Sequence, residues 1–143
     1  GTPYVPSPIL YDGLLYFTQP KAILSCVDAK TGKVLMERNR LPGLSNVYAS
    51  LVGAGNHIYV FGRYGKTAVL KRTGKFDMVT TNTLADRFDA SPAVVGDQLF
   101  LRGHKFLYVS SENDKKQFYF RFGLNCVGGS EIPQLGKALR FLY

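Results

Sequence analysis

A short turn, Val27-Asp28-Ala29-Lys30-Thr31-Gly32-Lys33-Val34, joins two apolar runs that have the character of β-strands. Gly32 can take the positive φ that such a turn requires, and the Asp28 carboxylate can accept hydrogen bonds from the turn amides. The core of this turn returns as Arg72-Thr73-Gly74-Lys75, where Thr73 follows Thr31 by 42 residues. Self-similarity at a period of roughly 20–50 residues is typical of solenoids and propellers.

The sequence on both sides of the first turn predicts four antiparallel strands within about 35 residues. Residues 7–11 and 14–18 are apolar runs on either side of Asp12-Gly13, a pair that strongly indicates a hairpin. Residues 22–27 and 33–38 lie on either side of the Thr-Gly-Lys turn and are predicted to be the third and fourth strands.

This unit occurs three times, and each copy matches less completely than the one before. Tyr59 follows Tyr16 by 43 residues, and Ser91 follows Ser50 by 41. In the second copy, residues 76–80 are predicted to be the fourth strand, and the third copy lacks the Thr-Gly-Lys turn. We therefore predict an all-β chain, a partial β-propeller of four-stranded antiparallel blades with an irregular C-terminal tail. The predicted blades span approximately residues 5–40, 46–82 and 88–122, and the tail spans 123–143.

The composition is that of a globular protein, with 45% hydrophobic and 20% charged residues. No apolar run reaches the roughly 18–20 residues of a membrane span, so none is predicted. Gly1-Thr2-Pro3-Tyr4 does not resemble a signal peptide, and we interpret the chain as a mature product or an excised piece. The net charge of +8 raises the question of nucleic-acid binding, but half of the excess lies in the last 29 residues.

Neither the cysteines nor the histidines form a pattern that predicts chemistry. Cys26 and Cys126 lie 100 residues apart and match no metal spacing. Cys26 is predicted to be a buried small hydrophobe, and a disulfide between the two remains an alternative. His57 and His104 have no third ligand at metal spacing, so the sequence predicts no metal site and no catalytic residues.

A candidate binding face follows from the strand directions. In a four-stranded meander, the connection into the first strand and the loop between the second and third strands lie on the same face. Tyr48 and Asp89 occupy equivalent positions in such connections, and Arg63 and His104 are equivalent loop residues that each follow a glycine. Binding sites concentrate in loops held on a rigid scaffold, so these four residues form the candidate. Ordinary solvated loop residues are the competing interpretation.

The first repeat resembles that of the pyrroloquinoline-quinone-type β-propellers. The residues that carry the resemblance are Ser7-Pro8, Asp12-Gly13, Tyr16 and the run Val27 to Lys33. The resemblance covers about residues 5–110, or two and a half blades. It implies that Asp28, Thr31, Gly32 and Lys33 form the blade turn, and that the protein is periplasmic or extracellular.

The chain also departs from that family. Met36 stands where the family has a tryptophan, and the sequence contains no Trp, which implies the loss of that residue's docking contacts and of an indole to stack on a quinone. The family's dehydrogenases have a vicinal Cys-Cys pair, which Cys26 and Cys126 cannot form. No Glu, Asn and Asp set matches their calcium site. The resemblance therefore extends to the fold and not to the enzyme, and fold alone does not establish function.

We predict a non-catalytic propeller segment without a cofactor, which acts as a scaffold for an unidentified protein or small ligand. One alternative is a fragment of a quinone- and calcium-dependent dehydrogenase whose cofactor site lies in absent blades. Nucleic-acid binding through the basic tail is the least favoured function. Because propellers close with about 4–8 blades, three blades predict either missing blades in a longer chain or self-association.

Overall fold

The computed structural model describes residues 3–111 and 118–121, and within these ranges the chain forms β-strands and turns without a helix. Three four-stranded antiparallel sheets each pair consecutive strands in chain order. Blade 1 consists of β1 (Ile9–Tyr11), β2 (Leu14–Gln19), β3 (Ile23–Asp28) and β4 (Val34–Arg40). Blade 2 consists of β5 (Val52–Ala54), β6 (His57–Phe61), β7 (Lys66–Lys71) and β8 (Met78–Thr83). Blade 3 consists of β9 (Ala93–Val95), β10 (Gln98–Arg102), β11 (Phe106–Ser111) and β12 (Phe118–Arg121).

The predicted fold class, an all-β partial propeller of antiparallel blades, is confirmed by this architecture. The predicted tail, 123–143, and Cys126 lie outside the described residues. Among the described residues, none belongs to a helix that is long and apolar enough to cross a membrane.

The turn between β3 and β4 is built around Asp28, as its sequence predicts. Asp28 Oδ1 accepts hydrogen bonds from Thr31 N and Thr31 Oγ1, both at 2.7 Å, and from Lys30 N at 3.1 Å. These bonds hold the pKa of Asp28 below its ordinary value, and the bond from the Thr31 hydroxyl has the largest effect. Gly32 has a φ of 72°, in the left-handed region that glycine adopts without strain.

The last strand of blade 2 begins later than predicted. The sequence favoured a strand over residues 76–80, but β8 spans Met78–Thr83. Asp77 instead belongs to the turn, because its carbonyl accepts a hydrogen bond from Lys71 N at 2.9 Å and its amide donates to Lys75 O at 3.0 Å. The carboxylate of Asp77 also lies 3.2 Å from Lys71 Nζ. The turn of blade 2 therefore differs from the Asp28 turn of blade 1, and it ends at Asp77, which forms an exposed ion pair with Lys71.

The core consists of two apolar clusters, each packed between neighbouring blades. Successive residues of a strand point to opposite faces of the sheet. In β6, Ile58 and Val60 accordingly belong to the cluster between blades 1 and 2, and Tyr59 and Phe61 to the cluster between blades 2 and 3. Blade 2 is thus covered on both faces.

Contacts between blades 1 and 2 form without a tryptophan. Met36 is only 4% exposed and lies in the cluster between these blades. The buried hydroxyl of Tyr16 accepts a hydrogen bond from Gly74 N at 3.2 Å. Leu35 packs over the same glycine, with its Cδ1 only 3.0 Å from where a Cβ would lie. The Thr-Gly-Lys turn of blade 2 therefore docks on blade 1 through the side chains of Tyr16 and Leu35.

Equivalent serines also link the three blades. Ser7 N donates to Ser50 Oγ at 3.0 Å, and Ser50 N donates to Ser91 Oγ at 2.9 Å. The spacings between these residues are the repeat spacings seen in the sequence. The same contact thus recurs at both interfaces between blades.

Candidate binding face

One face of the molecule, here called the loop face, carries the linkers between blades (residues 41–51 and 84–92) and the turn between the second and third strands of each blade. Backbone hydrogen bonds join these linkers and turns alternately. Arg63 N donates to Asn46 O at 2.8 Å, Phe88 N to Arg63 O at 3.0 Å, and His104 N to Arg87 O at 3.0 Å. Because Arg63 and His104 are repeat equivalents, the bonds that position them are the same in blades 2 and 3.

The four residues of the candidate face meet in a single row, here called the polar row. Arg63 Nε lies 2.7 Å from Asp89 Oδ1, and these two buried atoms approach as an ion pair without the alignment of a hydrogen bond. Arg63 Nη2 donates to Asp89 Oδ2 at 3.3 Å, and His104 Nε2 lies 2.9 Å from the same oxygen. The guanidinium carbon of Arg63 lies 4.4 Å from the centre of the Tyr48 ring, within the range of a cation–π contact.

The polar row is partly open to solvent. The exposed side-chain fraction is 24% for Arg63, 32% for Asp89 and 51% for His104. Partial burial of Asp89 opposes its ionisation, but the hydrogen bonds from His104 and Arg63 and the charge of Arg63 outweigh it. The pKa of Asp89 consequently lies below its ordinary value, so the row has a fixed anion at neutral pH.

The surroundings of the row are positively charged. Arg87 and Lys105 are exposed on the same face, and neither pairs with a carboxylate among the described residues. Arg87 lies over the ring of Tyr64, with 5.9 Å between the guanidinium carbon and the ring centre. Since Arg63 and Asp89 neutralise each other, Arg87 and Lys105 are the exposed, unpaired charges beside the row.

A buried carboxylate beneath the row was missed by the sequence analysis. Asp86 is only 8% exposed. Its Oδ1 accepts a hydrogen bond from Arg87 N at 2.7 Å, and its Oδ2 accepts from Lys105 N at 3.0 Å, Phe106 N at 3.2 Å and the Tyr108 hydroxyl at 3.1 Å. Burial raises the pKa of Asp86, but these bonds lower it by more, so it lies below the ordinary value. Asp86 thereby ties the second linker to the turn that presents His104.

One feature of the sequence is related to the contact between Asp86 and the turn of blade 3. Gly103 precedes His104, and a Cβ on Gly103 would collide with the Asp86 carboxylate. The equivalent glycine of blade 2, Gly62, instead faces the side chain of Leu44. Gly62 and Gly103 therefore indicate that a linker packs closely against the turn at both interfaces. They do not indicate that the linker residue is apolar at one interface and a carboxylate at the other.

The described residues do not fit the calcium or quinone of the family's dehydrogenases. No group of three or more His, Cys, Asp or Glu side chains in that part of the chain is arranged to hold a metal ion. Asp89 is the carboxylate of the polar row, and Arg63 and His104 already engage it. The sequence has no Trp to stack on a quinone ring. The polar row therefore has no unengaged carboxylate with which to bind a cation.

No family model matches the chain, and no curated protein matches its sequence. Solved structures do match. BamB from Moraxella catarrhalis superposes with a TM-score of 0.59 at 15% identity over 77% of this chain. The three sheets therefore have the fold of β-propeller blades. A quinohemoprotein alcohol dehydrogenase from Pseudomonas putida has a TM-score of 0.60 at 18% identity over 81% of this chain. One from Comamonas testosteroni has a TM-score of 0.59 at 14% identity over 83%.

The likeness to quinoprotein-like propellers covers only part of those proteins. The matched region is 34% of BamB and 20% and 21% of the two dehydrogenases. At such identities the likeness establishes the fold alone. The predicted resemblance to pyrroloquinoline-quinone-type repeats is confirmed at that level.

Proposed function

We propose that this chain is a non-catalytic segment of a quinoprotein-like β-propeller, and that its loop face is a scaffold for binding a protein or ligand. The observation that carries the proposal is the polar row: Tyr48, Arg63, Asp89 and His104 come from two linkers and two turns and meet at one partly exposed site. Loops held by a rigid scaffold in this way are where binding sites concentrate.

The chemistry of the row suits recognition better than catalysis. Asp89 has a lowered pKa and is engaged by Arg63 and His104, so it is a weak base at neutral pH. Arg63 is held by Asp89 and the Tyr48 ring, which fixes its direction. No hydroxyl or thiol nucleophile lies within the row beside a base.

The charge of the loop face favours an acidic partner. Arg87 and Lys105 flank the row, and their charges are not neutralised by a described carboxylate. Carboxylate groups of a partner would gain charge-assisted hydrogen bonds from these side chains. Complementary charges of this kind set association rate and specificity more than they set affinity.

A titration with a fluorescein-labelled hexaglutamate peptide, followed by fluorescence anisotropy at low salt, tests this proposal. We expect saturable binding that the double variant Arg87→Ala/Lys105→Ala weakens by about fivefold or more, or roughly 1 kcal/mol. The matched control is Lys30→Ala/Lys33→Ala, which removes two exposed lysines from the β3–β4 turn on the opposite face. Equal losses in the two variants, or no binding by the wild type, would overturn the proposal.

The alternative, a fragment of a quinone- and calcium-dependent dehydrogenase, makes a different prediction. It requires saturable quinone binding in the presence of calcium, together with dye-linked oxidation of an alcohol, by a ring that the absent blades complete. That result would refute the non-catalytic proposal whatever the peptide titration shows. We expect neither signal, because the described residues do not fit the two cofactors.

The blades at the two ends imply that further blades or copies complete the ring. Blade 2 buries residues on both faces of β6, whereas Leu15 and Phe17 of blade 1, which point away from blade 2, are only partly buried. We expect these side chains to be covered by missing blades or by another copy. Light scattering distinguishes the two: a mass near 15.9 kDa supports missing blades, and a defined multiple supports copies.

A further inference from the structure

The face of blade 1 that points away from blade 2 carries an apolar row across all four strands. Residues that pair directly across neighbouring strands point to the same face of a sheet. The registers of β1 to β4 place four such residues side by side, here called the blade 1 row: Leu10, Leu15, Val27 and Val34. Leu10 is 63% exposed and Val34 is 55% exposed. An exposed apolar row of this extent is typical of a surface that another protein covers.

The counterpart of this row in blade 2 shows what kind of surface packs on it. By the same registers, the equivalent residues are Gly53, Ile58, Leu70 and Met78. Ile58 and Leu70 are buried in the cluster between blades 1 and 2, and Met78 packs against that cluster. On the side opposite the loop face, here called the hairpin face because the β1–β2 and β5–β6 hairpins lie there, the Tyr11 ring of blade 1 lies over Gly53. The blade 1 row is therefore the surface that receives a preceding blade.

The outer face of blade 3 carries the other side of such an interface. Ala93, Phe100 and Val109 pair across β9, β10 and β11 and are here called the blade 3 row. Phe100 alternates with residues of the cluster between blades 2 and 3, so this row points away from blade 2. The equivalent residues of blade 2 all lie in that cluster, where they pack on blade 3: Val52, Tyr59 and Val69. Blade 3 therefore presents outward the surface with which a blade packs on its successor.

We propose that the blade 3 row of one molecule packs on the blade 1 row of a second copy of this chain, and that two copies close a ring of six blades. The two rows correspond by register to the two sides of the interfaces within the chain. Ser7 and Ser91, the first and last of the linking serines, lie at the same two ends.

The number of copies follows from the number of blades. Each copy contributes three blades, so two copies give six and three copies give nine. Propellers typically close with about 4–8 blades, and two is the number of copies that falls within this range. The inference rests on the propeller segment proposed above and does not depend on what the loop face binds. Failure of the hexaglutamate titration would therefore leave it unaffected.

The registers also predict which residues meet between the copies. Tyr11 lies over Gly53 between blades 1 and 2. Val95 is the counterpart of Tyr11 in blade 3, and Leu10 is the counterpart of Gly53 in blade 1. Val95 of one copy should therefore contact Leu10 of the other. Val95 is 64% exposed in the single chain, so both positions can be changed without disturbing a core.

Light scattering behind size-exclusion chromatography, over a wide range of loading concentrations, tests the proposal. We expect the mass to reach twice 15.9 kDa and to remain there as the concentration is raised. A monomer at every concentration would overturn the proposal and leave missing blades of a longer chain to cover the two rows. A mass that continues to rise with concentration would contradict closure at two copies.

Two variants test which surfaces meet. Leu10→Glu and Val95→Lys each place an unpaired charge in the apolar contact, so each variant alone should be monomeric. In an equal mixture, one interface joins the introduced carboxylate to the introduced ammonium group and the other keeps both native side chains, so the dimer should reappear. The control Tyr64→Glu changes a side chain that is 56% exposed in a turn of blade 2, and should remain dimeric.

The mixture decides between this arrangement and other contacts. Dimers of both single variants, or no recovery of the dimer when they are mixed, would contradict the proposed contact. If a variant does not fold, the mass of the wild type still decides whether two copies associate.

Discussion

The two interfaces between blades have the same backbone arrangement and differ in the side chains at their ends. Between blades 1 and 2, the ends are closed by apolar and aromatic groups. Leu44 packs over Gly62 at the loop face, and Tyr11 packs over Gly53 at the hairpin face. The interface between blades 1 and 2 is therefore covered by side chains at both of its ends.

Between blades 2 and 3, one of these ends is polar and buried, and the other is open. The Asp86 carboxylate packs against Gly103 at the loop face. At the opposite end, beside the β5–β6 and β9–β10 hairpins, the small side chain of Ala54 lines an open cleft. The serine contact is retained at both interfaces. Hydrogen bonds within each sheet hold a blade together, so the side chains between blades can change without loss of the fold. The interface between blades 2 and 3, whose side chains differ from those of the first, is the one that contains Asp86 and the cleft.

Replacement of Asp86 should have the largest effect on this contrast. In Asp86→Asn, one carboxylate oxygen becomes an NH₂ group that faces backbone donors, and buried donors lose their acceptor. We expect the free energy of unfolding to fall by about 2–4 kcal/mol, measured by urea denaturation at pH 7. The control Asp77→Asn removes an exposed ion pair with Lys71 and should cost less than about 1 kcal/mol. Similar losses would show that Asp86 does not hold the interface.

The contribution of Asp86 should also depend on pH. Its folded-state pKa is lowered, so its stabilising effect is complete above the unfolded-state pKa near 3.8 and is lost as the pH falls through the lower folded value. Between about pH 5 and pH 3, the wild type should therefore lose more stability than Asp86→Asn. Parallel pH profiles for the two proteins would contradict this assignment.

A methyl group at Gly53 tests the sealed end of the other interface. In Gly53→Ala, the new Cβ would lie 2.5 Å from Tyr11 Cδ1, so the ring must move. We expect a loss of about 1–3 kcal/mol by urea denaturation. The loss should largely disappear in a Tyr11→Ala background. The matched change in blade 3, Val94→Ala, affects a side chain that is 42% exposed and should cost less than about 1 kcal/mol.

The polar row should contribute least to stability, because it is partly exposed. We expect Asp89→Asn to lower the free energy of unfolding by about 1 kcal/mol or less at low salt, and by still less in 1 M NaCl. The pKa of Asp89 is lowered, so any contribution is present above about pH 4 and is lost on acidification through the folded value. A larger, salt-independent loss would show that the row is structural and not a surface for recognition.

The sequence predicted the blades because local chemistry determines them. Asp12-Gly13 supplies the hairpin, and Asp28 and Gly32 supply the β3–β4 turn, in which the hydrogen bonds to the Asp28 carboxylate are all made within a few residues. The late start of β8 could not be predicted in the same way. The turn of blade 2 lacks the Asp28 pattern and extends to Asp77 through its own backbone bonds.

The sequence predicted which residues belong to the candidate face, but not the contacts among them. Alternating strand directions place Tyr48, Arg63, Asp89 and His104 on one side of the blades, and the structure brings them together. Their pairing depends on how the linkers pack between the turns, which the repeat spacing does not describe. Asp86 was missed because nothing local to it indicates burial, and all its partners except Arg87 lie 19 to 22 residues further along the chain.

The serine contacts give the row of blades a polarity. Each serine amide donates to the hydroxyl of the next blade, so the series starts with the hydroxyl of Ser7 and finishes with the amide of Ser91. The two ends are complementary and not identical. A blade that repeats this contact must be added head to tail, because the Ser7 hydroxyl at one end matches the Ser91 amide at the other. Blades or copies added in this way would meet through heterologous interfaces, which can close into a ring.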